Sequence, residues 1–580
     1  MQNISSNFKK YYFKQIDKLF WFKKPKTILT KKNDNNYNWF PDGKINVYYN
    51  CITSNINKNP LKTALITINK KNKIDKYNFK KIDELVNLLG LYLKKISKKK
   101  NLKIMIHSSA SLESAIMMLV CAKLGYHFSV IFEELESVGI ENRIKIFKPD
   151  IFFTRLKKKN FVQNTGFELH KKITKFIFRE DFKKAIKVKN KKLQVCKVVS
   201  SANSLFTLFT SGSTGAPKGI THSSGGYLLH AKMTCEKQFG MSANSIVLTA
   251  SDAGWINGHT YALFGPLSLG ATSILIEKPI SLIDINLFKK ILDLKTTIVY
   301  LPVTLIRLIK SFNKNFNIDK RYIKTIGSMG EPLAPSVSEW YAKKFLNKNR
   351  AVVNTYFQTE TGGIICSPKY NQNTNQIPHG SVGRVMSKYI KISSLASKKL
   401  NEIKILSPWP GMMKNVMNGK KEWNKYWDGN NNFRLFDLAS VKKKNVFIHG
   451  RNDDVINIRG HRIGSEEIES VLLRIKEIKE CCVISIKDEL EGFKTCIFIV
   501  SEKNLTTDIE KVIISQFGSY ALPKKIFYVN QLPKTRSGKI LRRLLRNIVE
   551  NPNLKNYGDV STILNFDCLK NIKKIVKINE

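Results

Sequence analysis

Residues 104–132 read Ile-Met-Ile-His-Ser-Ser-Ala-Ser-Leu-Glu-Ser-Ala-Ile-Met-Met-Leu-Val-Cys-Ala-Lys-Leu-Gly-Tyr-His-Phe-Ser-Val-Ile-Phe, and this stretch decides the fold class. A short apolar run at 104–107 is followed by a longer one at 115–124 and another short one at 128–132, the pattern of strand, buried helix, strand. Glu113, Lys123 and His127 interrupt the apolar run, which argues against a membrane span. Upstream, residues 82–93 carry a helical pattern, and the same alternation recurs across most of the chain. It predicts an α/β architecture with substantially parallel sheets. Tracts rich in Lys and Asn at 70–76, 98–100 and 157–164 read as surface loops, and no internal repeat is visible.

From about Leu435 the texture changes. Charged turns at 442–445 and 450–454 separate compact strand and helix signals at 446–449, 466–474, 482–486 and 496–500. The reading is a large multi-layer α/β amino-terminal domain, residues 1–452, and a smaller α+β carboxy-terminal domain, residues 453–580.

The chain has 580 residues, of which 42% are hydrophobic, enough for a sizeable core. Its 98 Lys and Arg against 45 Asp and Glu give +53, which raises nucleic acid or an anionic membrane as a partner. Only 16 of the basic residues are Arg, however, and nine of those fall between Arg434 and Arg546. A nucleic-acid surface concentrates cations in a stripe with aromatic residues for stacking. Lysines scattered among Asn and Ile fit compositional drift better, so neither a nucleic-acid nor a membrane partner is expected. Nine cysteines without a CxxC pair suit neither a zinc site nor a disulfide framework. With a polar opening and no long apolar leader, the expectation is a cytoplasmic protein.

The strongest local signal for chemistry is Leu208-Phe-Thr-Ser-Gly-Ser-Thr-Gly-Ala-Pro-Lys-Gly219. Gly212, Gly215 and Gly219 permit close backbone approach. Thr210, Ser211, Ser213 and Thr214 supply hydroxyls and Lys218 a charge, which suits a loop around a polyphosphate. The GxxxxGK[ST] spacing is absent, so this is not a Walker A loop. A Gly/Ser string alone reads as a linker; twelve ordered positions ending in Pro-Lys-Gly do not.

With this motif the sequence resembles the adenylate-forming superfamily of acyl-CoA synthetases, luciferase and peptide-synthetase adenylation domains. Further segments, in the family's order, are similar to its acetyl-CoA and propionyl-CoA synthetase branch. They are Asn38–Gly43, Ser251-Asp-Ala-Gly-Trp-Ile-Asn-Gly-His259, Gly330-Glu-Pro332, Asn354-Thr-Tyr-Phe-Gln-Thr-Glu-Thr-Gly-Gly363, Gly450-Arg-Asn-Asp-Asp454, Arg459-Gly-His-Arg462 and Pro533-Lys-Thr-Arg-Ser-Gly-Lys539. The resemblance implies a ligase that activates a small carboxylic acid with ATP and Mg²⁺ and transfers it to coenzyme A. Adenylation brings two anions together, so cations and a metal must neutralise the phosphoryl oxygens.

Carried onto this chain, the resemblance gives Glu360 the metal, a hard oxygen ligand. Gly330, Glu331 and Pro332 lie along the adenine, and Asn354, Thr355, Tyr356, Phe357, Gln358 and Thr359 continue the nucleotide site. Asp437 takes the ribose hydroxyls, although Phe436 stands where the family has Gly. Arg451 and Arg462 contact the nucleotide through their planar forks. Lys539 is the catalytic ammonium between carboxylate and phosphate, with Thr210 and Lys218 assisting, and in the family it is a target of lysine acetyltransferase and deacetylase. Asp453 is the hinge of a mobile carboxy-terminal domain. Asn257 and Arg459 match CoA contacts, whereas Ile514 replaces the arginine that holds the CoA phosphate.

The acyl pocket maps to Ile256, Asn257, Met329 and Phe357. Phe357 in place of the acetate enzymes' Trp implies an acid of about two to four carbons, since one methylene discriminates by only about 1–3 kcal/mol. Acetate is the first expectation and propionate or another short acid the alternative. A carrier-protein ligase and an inactive, strongly basic binding protein on the same fold are the rival readings. The complete motif set speaks against inactivity.

Overall fold

The strand–helix–strand unit read from residues 104–132 lies inside the first of two seven-stranded sheets. The computed structural model describes residues 5–31, 35–135, 137–167, 175–187, 195–211, 217–278, 282–311, 317–347, 349–393, 401–451, 455–458, 461–488, 492–517, 521–535, 538–553, 563 and 565–578. The strands Lys103–His107 and His127–Ile131 pair in parallel through the helix Leu112–Leu124, which is buried from Glu113 to its end. A reciprocal cap starts that helix. Ser111 N donates to Ser114 Oγ at 3.0 Å and Ser114 N to Ser111 Oγ at 3.2 Å, satisfying donors that a helix start leaves open. Gly125, at φ 64°, ends it.

The first sheet runs Asn415–Val416, Pro217–Ser223, Ser204–Ser211, His127–Ile131, Lys103–His107, Ile151–Thr154, Lys175–Ile177. Its last five strands are parallel, as predicted, and Pro217–Ser223 is antiparallel to its neighbours. The second runs Val353–Asn354, Thr325–Met329, Ile298–Pro302, Ile246–Thr249, Thr272–Ile276, Thr63–Ile68, Ile74–Asn78, all parallel but the last. A three-stranded antiparallel sheet, Asn401–Ile405, Phe433–Lys442 and Asn445–Arg451, follows.

Two of the expected loops are shorter than their composition suggested. Ile74–Asn78 is an edge strand, which leaves only the preceding turn irregular. Residues 158–165 form a helix because Phe161 is anchored against Phe152 at 5.6 Å and Phe167 at 5.7 Å, and Gly166 closes it in the left-handed conformation. Tertiary burial there overrides a Lys/Asn-rich sequence.

The small carboxy-terminal sheet, Glu480–Asp488, Gly492–Val500 and Lys525–Tyr528, has helices on both faces. Cys482, Ile484 and Phe498 point to the helices Arg542–Glu550 and Asp567–Ile578, whereas Cys481, Val483 and Ile497 face Ser465–Leu472 and Thr506–Phe517. This is the period-two alternation of a two-sided strand. Among the described residues no helix is long and apolar enough to cross a membrane. All nine cysteines are free thiols.

Candidate active site

Ligands of parallel α/β sheets gather beyond the carboxyl ends of the strands, where the connecting loops converge. Thr325–Met329 ends there, and Gly330 turns the chain at φ 90° with nothing within 4 Å of where a Cβ would stand. The turn thus leaves open space beside Gly330-Glu-Pro332. Next to it Thr355 N and Oγ1 donate to Ser328 O at 3.0 and 2.8 Å. Asn354 accepts from Ser328 Oγ at 2.9 Å and donates to Gly380 O and Ser381 O at 3.2 and 3.1 Å. Both side chains are therefore spent on fixing the strand end. Glu331 pairs with Arg307 at 3.2 Å.

Glu331 and Pro332 line a cavity of about 350 Å³ together with Ile448, Glu469, Ile540 and Arg542. Glu331 Oε1 and Arg307 Nε are buried in its wall without a partner among the described residues, so a polar ligand would satisfy groups the protein leaves open.

The turn Thr359–Thr361 is anchored from several directions. Gln358 N donates to Thr361 Oγ1 at 3.0 Å, Trp409 Nε1 to Thr361 O at 2.9 Å and Met413 N to Glu360 O at 3.0 Å. His222 Nε2 lies 2.7 Å from Thr359 O, and burial lowers this imidazole to about 4, keeping it neutral. A Cβ at Gly362 would stand 2.2 Å from Gly411 O, so only glycine fits. The turn presents Glu360, 9% exposed, whose Oε1 accepts from Tyr426 Oη at 2.7 Å.

Asp437 sits in Phe433–Lys442, opposite Arg451 in the ladder. Its Oδ2 accepts from Tyr356 Oη at 2.7 Å and from Gln358 Nε2 at 2.6 Å, which joins it to the Asn354–Gly363 segment. Phe436 stands at φ 57°, a left-handed conformation in which a Cβ is disfavoured and glycine is at ease. Arg434 over its ring at 4.7 Å and Tyr426 at 5.7 Å hold it there. The departure at 436 thus preserves the backbone path to Asp437.

Thr210 and Lys218 face each other across the antiparallel pair Ser204–Ser211 and Pro217–Ser223. Gly212, Ser213, Thr214 and Gly215 lie outside the described residues, as does the Ser211 side chain. Lys218 pairs with Glu422 at 3.2 Å and lies 5.7 Å from the ring centre of Tyr426.

The four residues that the resemblance assigns to the acyl pocket come together. Phe357 packs between the clusters that hold Ile256 and Met329, and Asn257 Nδ2 donates to Met329 Sδ. Phe357 also meets Tyr261 edge-on at 5.7 Å.

Lys539 closes a turn in which Gly538 N donates to Thr535 O at 2.7 Å and Lys539 N to Thr535 Oγ1 at 3.1 Å. A Cβ at Gly538, φ 81°, would collide with Thr304 of the helix Val303–Ser311, so the lysine turn abuts the large domain beside Thr325–Met329. Asp453 and Arg459 lie outside the described residues; Arg451 and Arg462 are placed by their backbone only, Arg462 opposite Asn457 in a hairpin. Arg542 is paired with Glu469 at 2.7 Å.

Sequence reasoning missed Tyr426, Glu422, His222 and Arg307. None belongs to a motif quoted above, and their roles arise only from contacts across long chain separations.

The family model of the AMP-binding enzyme matches residues 52–402 and that of its carboxy-terminal domain residues 467–539. The chain belongs to the AMP-binding enzyme family, the adenylate-forming superfamily. The acetyl-coenzyme A synthetase N-terminus model matches residues 1–51. Acetyl-coenzyme A synthetase of Helicobacter acinonychis (strain Sheeba) is 30% identical over 97% of this chain and 92% of its own. Acetyl-coenzyme A synthetase 2 of Saccharomyces cerevisiae is 30% identical over 92% and 86%. Among solved structures, acetoacetyl-CoA synthetase from Streptomyces lividans superposes with TM-score 0.83 at 16% identity, over 99% of this chain and 92% of that one. Anthranilate CoA ligase AuaEII with anthranoyl-AMP gives 0.76 at 19% identity, over 87% and 97%. Within its family the chain falls in the acetyl-coenzyme A synthetase branch, and membership carries the reaction class: AMP-forming ligation of an acid to coenzyme A, with ATP and Mg²⁺.

Proposed function

We propose that the chain is an acetate–CoA ligase working through an acyl-adenylate. The observation that carries this is convergence: Glu360, Asp437 and Lys218, from three separate segments of the chain, are linked through Tyr356, Gln358 and Tyr426 around one rigid turn. Such a turn can hold a triphosphate without reorganising as charge develops. Glu360 offers the hard carboxylate for Mg²⁺, which when bound neutralises phosphoryl oxygens. Asp437 accepts from the ribose hydroxyls, Gly330–Pro332 flank the base, and residues 210–215 with Lys218 cover the phosphates. Arg451 and Arg462 reach the nucleotide, and Lys539 bridges the attacking carboxylate and the α-phosphoryl group. Asn257 and Arg459 face coenzyme A. Residues 453–580 move as a unit about Asp453 to exchange the two half-reactions.

Phe357 and Met329 floor a pocket for acetate. Propionate is the second reading, favoured by a floor smaller than tryptophan. Free cysteines throughout suit the reducing cytoplasm, and Lys539 is the residue an acetyltransferase and deacetylase would use as a switch.

The test is AMP and acyl-CoA formation with acetate, propionate, butyrate and acetoacetate. Lys539→Ala is expected to lower adenylation by about 100- to 1,000-fold, the range for losing a group that stabilises developing charge. An unchanged rate would overturn the assignment. Asp453→Pro should keep adenylation and lose thioester formation.

A further inference from the structure

Tyr426 belongs to no motif. It follows the short helix Lys420–Asn424 and is 3% exposed. Its hydroxyl donates to Glu360 Oε1 at 2.7 Å. Its ring has Lys218 Nζ 5.7 Å from its centre, and Lys218 also pairs with Glu422, which Lys425 pairs in turn. The ring stacks on Phe433 at 5.7 Å and 14° and meets Phe436 edge-on at 5.7 Å and 72°. Phe436 is the left-handed residue that sets the direction of Asp437. One side chain therefore touches the carboxylate on the turn, the lysine of the glycine-rich hairpin and the residue beside Asp437.

A merely structural tyrosine would need its ring buried and its hydroxyl satisfied by any nearby backbone group. Here the hydroxyl is spent on a carboxylate that is itself nearly buried, and an N–H or O–H donor to one oxygen orients a carboxylate and leaves the other direction for a ligand.

We propose that Tyr426 is a positioning residue that orients Glu360 for the nucleotide's divalent cation and keeps Lys218 in register with it. This rests on the reading of Glu360 as the metal ligand. Removing a group that orients a metal ligand costs about 10- to 100-fold in metal affinity.

The experiment measures Mn²⁺ binding by electron paramagnetic resonance to the full-length protein with α,β-methylene-ATP, for wild type, Tyr426→Phe, Glu360→Gln and the double variant. Pyrophosphate–ATP exchange is followed against Mg²⁺ in parallel. Tyr426→Phe is expected to weaken Mn²⁺ about 10-fold or more, to recover most of its exchange rate at high Mg²⁺, and to leave the KM for the acid and the thermal midpoint unchanged. In the Glu360→Gln background it should add little, because the two residues act as one unit. Wild-type Mn²⁺ affinity in Tyr426→Phe, beside a weakened Glu360→Gln, would overturn the role of the tyrosine alone. So would a lowered thermal midpoint with a rate that Mg²⁺ does not restore. Wild-type affinity in Glu360→Gln would overturn the metal-ligand reading and the proposal with it.

Discussion

Two buried charge clusters in this molecule look alike and are built differently. In the first, Arg155 forks onto Glu133 at 2.5 and 2.9 Å and reaches Glu277 at 2.9 Å, while Lys70 adds a third cationic contact to Glu133 at 2.9 Å. Glu133 follows His127–Ile131, Arg155 follows Ile151–Thr154 and Glu277 follows Thr272–Ile276, so the cluster ties the first sheet to the second. In the second, Glu360 takes a tyrosine hydroxyl and Lys218 takes Glu422 and an aromatic face. A carboxylate surrounded by guanidinium and ammonium is a joint. A carboxylate oriented by one neutral donor keeps capacity for a ligand. Burial opposes ionisation at Glu133, yet the hydrogen bonds and charge of Arg155 hold it well below the usual carboxylate range.

Arg155 separates the two clusters most directly. Arg155→Ala strips Glu277 of its guanidinium and leaves Glu133 to Lys70, and is expected to cost about 3–5 kcal/mol in urea unfolding, because the desolvation penalty stays when the partner goes. A loss below about 1 kcal/mol would show that the cluster is not a joint.

Lys218→Ala should do the reverse. Adenylation is expected to fall by about 100-fold with little change in unfolding, since the contribution of a preorganised cation appears only when phosphoryl charge develops. Equal loss of stability would make the second cluster structural as well.

Acid should act on the buried histidines first. Burial lowers His222 and His230, which packs against Gly363 and Gly411, to about 4, and His127 and His259 to about 3. A depressed folded-state value means that the stabilisation is complete above the ordinary histidine value near 6.5 and is lost as pH falls toward about 4, by up to about 1.4 kcal/mol per unit for each histidine. The thermal midpoint should therefore drop between about pH 6.5 and 4. Glu133 loses its contribution only below the ordinary carboxylate range, at still lower pH. A flat midpoint from pH 7 to 4.5 would contradict the histidine assignment.

The smallest effect is expected at Phe436. Phe436→Gly gains about 1 kcal/mol from relief of the left-handed backbone and loses part of the packing against Arg434 and Tyr426, so stability and the KM for ATP should change little. Phe436→Val should weaken ATP binding more, because a β-branched residue resists that conformation.

The sequence by itself determined the α/β class, the two-part organisation and the class of reaction. Hydrophobic period is a local property, and the chemistry demands particular side chains in a set order, as in residues 354–363 and 533–539. It did not disclose the helix Lys158–Thr165, whose stability comes from Phe161 packing on neighbouring phenylalanines. Nor did it disclose that Asn354 and Thr355 hold the strand end, that Phe436 supplies glycine's conformation, or that Tyr426 meets Glu360 across 66 residues and His222 meets Thr359 across 137. Only the tertiary structure decided these. A motif specifies what reacts, whereas orientation comes from whichever side chains the two sheets and their loops carry to the same few ångströms.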